Sequence, residues 1–199
     1  LQVIQIEPSF NQARRQLVKV YLQKKKFISA LLHLKKLTTT NANDINAHIS
    51  MGEIYNKLGN FKLAIDVVNP IISSNPDNIQ AREILAEIFY NTGDLDRSIA
   101  EYRRILDKNS NYLPSYIQLG WIYYRKGEFQ MATAWTKRGL KLGTPSLQLD
   151  SLSSMNLGLY SWLNDDYVAA KNWYRKALKG GSKTIINGIL KDLKDTALL

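Results

Sequence analysis

The chain has no cysteine, which excludes disulfides, thiolate metal sites and thiol nucleophiles and fits a reducing compartment such as the cytoplasm. Histidine is scarce: His33 and His48 are the only two, and both fall on helical patterns where packing or surface exposure accounts for them. The carboxylates are scattered without a facing pair, and no glycine-rich loop is placed to cradle a phosphate. No catalytic, cofactor-binding or metal-ligating constellation follows from these residues, so the chain reads as non-enzymatic. No apolar run approaches the roughly 20 residues that span a bilayer, and no stretch has the form of a signal peptide. What is plentiful is core-forming residues, 45% hydrophobic and 10% aromatic over 199 residues. The net charge of +10 is uneven, with basic ends and a nearly neutral middle.

Residues 79–112 set the pattern for the rest. They read as a helix over 81–92, a Gly-Asp turn and a second helix over 95–108. Counting Ile79 as position 1, Leu85, Ala86, Phe89, Gly93, Leu95, Ser98, Tyr102 and Ile105 recur three or four apart within each helix, which gives one apolar stripe per helix. Such a pair leaves apolar surface bare and must stack on a copy of itself. Copies are present. Met51, Gly52, Tyr55, Gly59, Phe61, Ala64, Val68 and Ile71 occupy the matching positions in 45–78, and Leu17, Val18, Tyr21, Phe27, Ala30, Leu34 and Leu37 do so in 11–44. Tyr116, Leu119, Gly120, Tyr123, Gly127, Phe129, Ala132 and Gly139 repeat the pattern in 113–146. After four more residues, Leu157, Gly158, Tyr167, Ala170, Tyr174 and Ala177 repeat it in 151–184.

A period of 34 residues with a small residue at position 8, Gly near 15, an aromatic at 17 and Ala at 20 and 27 resembles the tetratricopeptide repeat. The resemblance covers residues 11–184. It implies an all-α, right-handed superhelical solenoid of five helix-turn-helix repeats: 11–44, 45–78, 79–112, 113–150 with a four-residue insertion, and 151–184. Departures are local: Val18 at position 8, Lys25 at 15 and Ser161 at 11. Residues 185–199 do not fit a sixth repeat and read as a capping helix over the last apolar face, with Ser182 as its N-cap. Ile4 and Pro8 fall where a preceding second helix would end, so residues 1–10 read as the remnant of an earlier repeat in a longer protein.

Three local features carry expectations of their own. Asn43 or Asp44 caps the helix that follows. Pro70 lies inside the second helix of its repeat and predicts a break or kink near Val68–Asn69. The insertion, with Thr144-Pro145 as a helix start, predicts that the fifth repeat's first helix begins early, near Ser146. The Lys24-Lys25-Lys26 turn reads as a solvated loop, or as a contact for an anionic partner.

In the family this chain resembles, the first helix of each repeat lines a concave groove. Position 5 holds Arg15, Ile49, Glu83, Ile117 and Met155, and position 9 holds Lys19, Glu53, Glu87, Trp121 and Leu159. Position 12 holds Leu22, Asn56, Tyr90, Tyr124 and Trp162. The groove is therefore basic at its start, acidic in the middle and aromatic-aliphatic in the last two repeats. Ile117, Trp121, Tyr124, Met155, Leu159 and Trp162, with Tyr90, form the candidate site for a protein or peptide partner. The competing reading is that Tyr124 and Trp162 only complete packing between repeats. The family's carboxylate clamp is missing: Gln12, Gln16, Asn46, Ser50, Gln80, Ile84, Pro114 and Gln118 stand at its positions.

A second pattern pairs cations at positions 25 and 26 of the outer helices: Lys35-Lys36, Arg103-Arg104, Lys137-Arg138 and Arg175-Lys176. Such a stripe could meet an acidic partner, nucleic acid or lipid headgroups, though cations near a helix C-terminus also offset the helix dipole. Position 5 lacks the small polar residues of helical-repeat RNA readers, which argues against nucleic acid. The reading favoured is an interaction scaffold or adaptor, with self-association open to it. The alternatives are an anion binder and the regulatory arm of a larger enzyme.

Overall fold

The three-and-four spacing of apolar residues produces helices throughout. In the computed structural model, which describes residues 10–143, 147–181 and 183–195, there are eleven helices and no strand among the described residues. They fall into two compact units that divide at Asp94–Leu95. The first unit holds α1 (Asn11–Gln23), α2 (Phe27–Thr40), α3 (Ile45–Lys57), α4 (Phe61–Ser74) and α5 (Ile79–Asn91). The second holds α6 (Leu95–Lys108), α7 (Leu113–Arg125), α8 (Phe129–Lys141), α9 (Leu147–Leu163), α10 (Tyr167–Gly180) and α11 (Lys183–Asp195).

Within the first unit, α1 packs on α2, α3 on α4, and each pair on the next. The stripes meet in one core that includes Val18, Ala30, Leu34, Ile54, Val68 and Ile88. Asp44 caps α3 by accepting from the Ala47 N–H at 3.1 Å, and its other oxygen takes Arg15 of α1 at 2.6 Å. Burial alone would raise the Asp44 pKa, but the Arg15 and Ala47 donors prevail and hold it below its ordinary value. In the second unit α7 packs on α8, α8 on α9 and α9 on α10, and α11 lies against both α9 and α10.

The position-8 residues show how close the helices come. A Cβ on Gly52 would fall 2.7 Å from Val68 Cγ2, and one on Gly120 would fall 2.2 Å from Thr136 Oγ1. The turns are equally uniform. Position 15 has positive φ in all five repeats: Lys25 55°, Gly59 74°, Gly93 86°, Gly127 78° and Asp165 59°. The N–H one residue later reaches back five residues each time, as in Lys26 to Tyr21 at 2.8 Å and Asp166 to Ser161 at 2.9 Å. This is the Schellman closure, and it imposes the left-handed conformation even where no glycine stands. Lys25 and Asp165 each accept it at about 1 kcal/mol.

Pro70 does not break its helix. α4 runs unbroken over 14 residues from Phe61 to Ser74. The missing Pro70 N–H deprives only the Asp66 carbonyl, and both residues are exposed, so water can take the donor's place. Ala64, Val68 and Ile71 stay buried on the opposite side and hold both halves in register. α9 is 17 residues long against 13 for α7, and the repeat register puts the added turn at its N-terminal end. The readings of residues 1–9, Thr144–Ser146 and Ser182 lie outside the described residues. α11 starts at Lys183 and buries Ile185 and Ile189 against Ala170, Tyr174 and Ala177. No described helix is long and apolar enough to cross a membrane.

Candidate functional site

On α7, steps of three and four residues put Ile117, Trp121 and Tyr124 on one face, and on α9 they do the same for Met155, Leu159 and Trp162. All six side chains are partly buried. The structure joins part of this set. The Tyr124 ring stacks on Tyr160 of α9 with centroids 5.5 Å apart, Trp121 leans on Tyr124 at 5.0 Å, and Phe129 of α8 flanks Tyr124 at 6.0 Å. Tyr160 has no exposed surface, so this row of rings is anchored in the core at one end and reaches Trp121 at the other.

Met155 and Trp162 are engaged elsewhere. A Cβ on Gly188 of α11 would lie 2.9 Å from Met155 Sδ, so the last helix closes directly over the thioether. The Trp162 ring meets Tyr167 of α10 at 4.4 Å. With Tyr174, Leu178 and Ile189 it lines a cleft of about 360 Å³ that also carries Lys171 and Arg175. Met155 and Trp162 thus also take part in the packing of α9 with α10 and α11, because a capping helix outside the repeat register supplies partners that register does not contain. Ile117, Trp121 and Leu159 are the partly buried members of the set that lie away from α11, with Trp121 resting on Tyr124.

The first unit presents polar chemistry in the same register. Asn91 of α5 donates to Asn56 Oδ1 at 3.0 Å, and Asn56 of α3 donates to Glu87 Oε2 at 3.0 Å. Glu53, Glu83 and Glu87 line a cleft of about 220 Å³ with Lys57, Gln80 and Ile84. The Glu87 side chain as a whole is exposed, yet its carboxyl is partly desolvated. That desolvation first, then the charge of Glu53, raises its pKa against the opposing pull of Lys57 and the Asn56 hydrogen bond. Tyr90, also partly buried, lies on α5 and so belongs to the first unit.

The paired cations are exposed in both units, and in the second unit several are held by neighbours. Arg103 donates to the Tyr123 hydroxyl at 2.7 Å. Its guanidinium lies 5.7 Å from the Trp135 ring centroid, and that of Arg138 lies 5.1 Å from it. Arg104 pairs with Glu101, and Lys176 pairs with Asp150 at 3.1 Å while resting 5.7 Å from the Trp173 ring. Lys35, Lys36, Lys137 and Arg175 are exposed, Arg175 at the wall of the α10–α11 cleft. Sequence reasoning missed three organising residues: Tyr160, Gly188 and Trp135. Only Trp135 left a signal, as an aromatic one turn ahead of the Lys137-Arg138 pair.

Comparison with known proteins follows the same line. Tetratricopeptide repeat signatures match residues 50–113 and 113–142. No curated protein sequence matches the chain. Among solved structures, a thermophilic TPR protein of Thermus thermophilus superposes with a TM-score of 0.74 at 19% identity, covering 92% of this chain and 98% of that one. PilF of Pseudomonas aeruginosa gives 0.75 at 16% identity, over 94% and 85%. MamA of Desulfovibrio magneticus RS-1 gives 0.69 at 16% identity, over 85% and 93%. At these identities the likeness is one of fold. With the repeat register read above, the matches make this chain a member of the tetratricopeptide repeat family.

Proposed function

We propose that the chain is a non-catalytic protein-interaction scaffold that holds an apolar segment of a partner polypeptide on the first-helix face of α7 and α9. The observation that carries this reading is Trp121. Tyr124 stacks on the fully buried Tyr160, and Trp121, leaning on Tyr124 at 5.0 Å, is the partly exposed outer end of that row. A rigid, partly exposed indole on a packed aromatic base is the kind of anchor that dominates protein interfaces. Ile117 and Leu159 extend the apolar surface on either side, and Tyr90 supplies a separate aromatic contact on the first unit.

Trp121→Ala is the test. Circular dichroism and thermal melting should show a loss of about 1 kcal/mol or less, since the ring is only partly buried. Partner binding should weaken by about 2 kcal/mol or more, measured by calorimetry on whatever polypeptide co-purifies. Unfolding of the array, or full binding by the variant, overturns the assignment. A basic outer surface makes the opposite forecast. Charge reversal at Arg103, Arg104, Lys137 and Arg138 would then abolish binding with a steep salt dependence, while Trp121→Ala would change nothing. The local contacts of Arg103, Arg104 and Arg138 with Tyr123, Glu101 and Trp135 give those cations a structural role and weigh against that reading.

A further inference from the structure

The first unit carries a second surface that the repeat register does not explain. The α2 stripe needs Phe27, Ala30, Leu34 and Leu37, yet Ile28 and Leu32 stand one turn apart on the same helix, 72% and 61% exposed. Facing them from the next repeat are Leu58, in the α3–α4 turn, and Leu63 of α4, both also exposed. The four line a cleft of about 310 Å³ together with Leu31, Tyr55, Lys35 and Asn60. Leu31 and Tyr55 are buried and close it from behind. Exposed aliphatic residues gathered in a concavity, rather than scattered singly, mark an interaction surface.

The charge around this cleft has one sign. The turn entering α2 two residues before Ile28 is Lys24-Lys25-Lys26, α2 adds Lys35 and Lys36, and α4 adds Lys62 beside Leu63. All are exposed, and among the described residues none of the six takes part in an ion pair. The only carboxylate on α2, α4 and the turns that enter them is Asp66, which does not line the cleft. We propose that this cleft docks an acidic protein segment bearing bulky apolar anchors. An anchor side chain enters between Ile28, Leu32, Leu58 and Leu63, and the flanking carboxylates meet the lysines. The concavity fits an inserted side chain better than a flat bilayer, which would call for protruding residues. A second copy is a poor occupant, because the chain carries a net charge of +10.

The surface is separate from the Trp121 face, and its test is independent. The probe is a fluorescein-labelled synthetic peptide with Leu and Phe at helical spacing and Glu at the remaining positions, titrated against the full chain by anisotropy. Its counterpart has Lys for every Glu. Vesicles of phosphatidylcholine and phosphatidylserine are sedimented with the chain in parallel. The acidic peptide should bind saturably and more weakly as salt is added. The double variant Ile28→Asp/Leu32→Asp should weaken it about tenfold or more with an unchanged melting curve, while Val168→Asp, at an exposed aliphatic residue outside both surfaces, leaves it unchanged. Leu63→Asp makes the same forecast if the double variant fails to fold. Equal binding of the lysine peptide, retention of affinity by these variants, or sedimentation with vesicles in the absence of peptide binding overturns the proposal.

Discussion

In the first unit, the first helices of neighbouring repeats, α3 and α5, are tied by amides and a carboxylate: Asn91 gives a hydrogen bond to Asn56, and Asn56 gives one to Glu87. In the second unit, the same register is tied by rings: Trp121 leans on Tyr124, and Tyr124 stacks on Tyr160. Asn56 and Tyr124 hold the same repeat position, so one backbone geometry tolerates both chemistries. What fixes the helix approach must then lie deeper. Gly52 and Gly120 occupy that deeper layer, where an added Cβ would meet Val68 and Thr136. The layer above is free to differ, and there a scaffold can acquire partner specificity without altering its fold. It also makes the two units respond differently to the solvent, since only the polar layer contains a carboxylate.

The deeper layer makes the strongest forecast. Gly120→Leu should cost about 3 kcal/mol, at the upper end for overpacking, because the Ala132 carbonyl lies 3.3 Å from the new Cβ and backbone cannot swing away. Gly52→Ala should cost less, since its closest contact is the end of the Val68 side chain. Chemical denaturation of both variants checks the order, and a reversed order would mean that the two repeats do not share one spacing device. Next in size is Tyr124→Ala. It removes the ring between Trp121, Phe129 and Tyr160 and should cost about 2 kcal/mol, reduced from a full core truncation because Tyr124 is partly exposed. All four tryptophans, Trp121, Trp135, Trp162 and Trp173, belong to the second unit, so intrinsic fluorescence follows this loss where it occurs.

The repeat spacing made the helices, their pairing and their turns legible, because each depends on residues within one period. Lys25 shows the limit of reading a single residue. It stands where glycine is usual, and the turn forms the same Schellman closure because the helices on either side demand it. Pro70 shows the reverse error. A local rule predicted a break or kink, but the helix runs on without a break, because the lost hydrogen bond faces water while Val68 and Ile71 stay locked in the core. The candidate site was legible only by position. Trp121, Tyr124 and Leu159 could be placed on a helix face, but which neighbour a side chain takes is decided between elements. Met155 lies under α11, which belongs to no repeat, so the repeat register could not foresee it. The cleft around Ile28 and Leu32 did leave a signal, two aliphatic residues more than the α2 stripe requires.

The polar layer should be weaker than the ring layer. Asn56 is buried and makes both bonds that link α3 to α5, so Asn56→Leu leaves the Glu87 and Asn91 groups without it at a cost of about 1 kcal/mol. Amide hydrogen exchange should show α3 and α5 opening more readily, with α7 and α9 unaffected. Equal acceleration in all four helices would mean that Asn56 acts through general stability and not through the α3–α5 link.

The smallest effect is a pH dependence confined to the first unit. The folded state raises the Glu87 pKa above its ordinary value, through partial desolvation and then the charge of Glu53. The native chain therefore binds this proton more tightly than the unfolded chain does. The resulting stabilisation is fully present below the unfolded pKa and is lost as pH rises through the folded one, so unfolding free energy falls with pH across that window. Glu87→Gln keeps an oxygen that can accept from Asn56 and removes the charge. It should match the wild type in acid and exceed it at neutral pH, with the gap opening between the two pKa values. Melting temperatures of both proteins across that range provide the measurement. A gap that stays constant with pH would mean that Glu53 and the α3 wall do not act on the Glu87 carboxyl. The ring layer offers the internal control: Tyr124→Ala leaves Glu87, Glu53 and Asn56 of the other unit untouched, so its cost should be the same at every pH in the series.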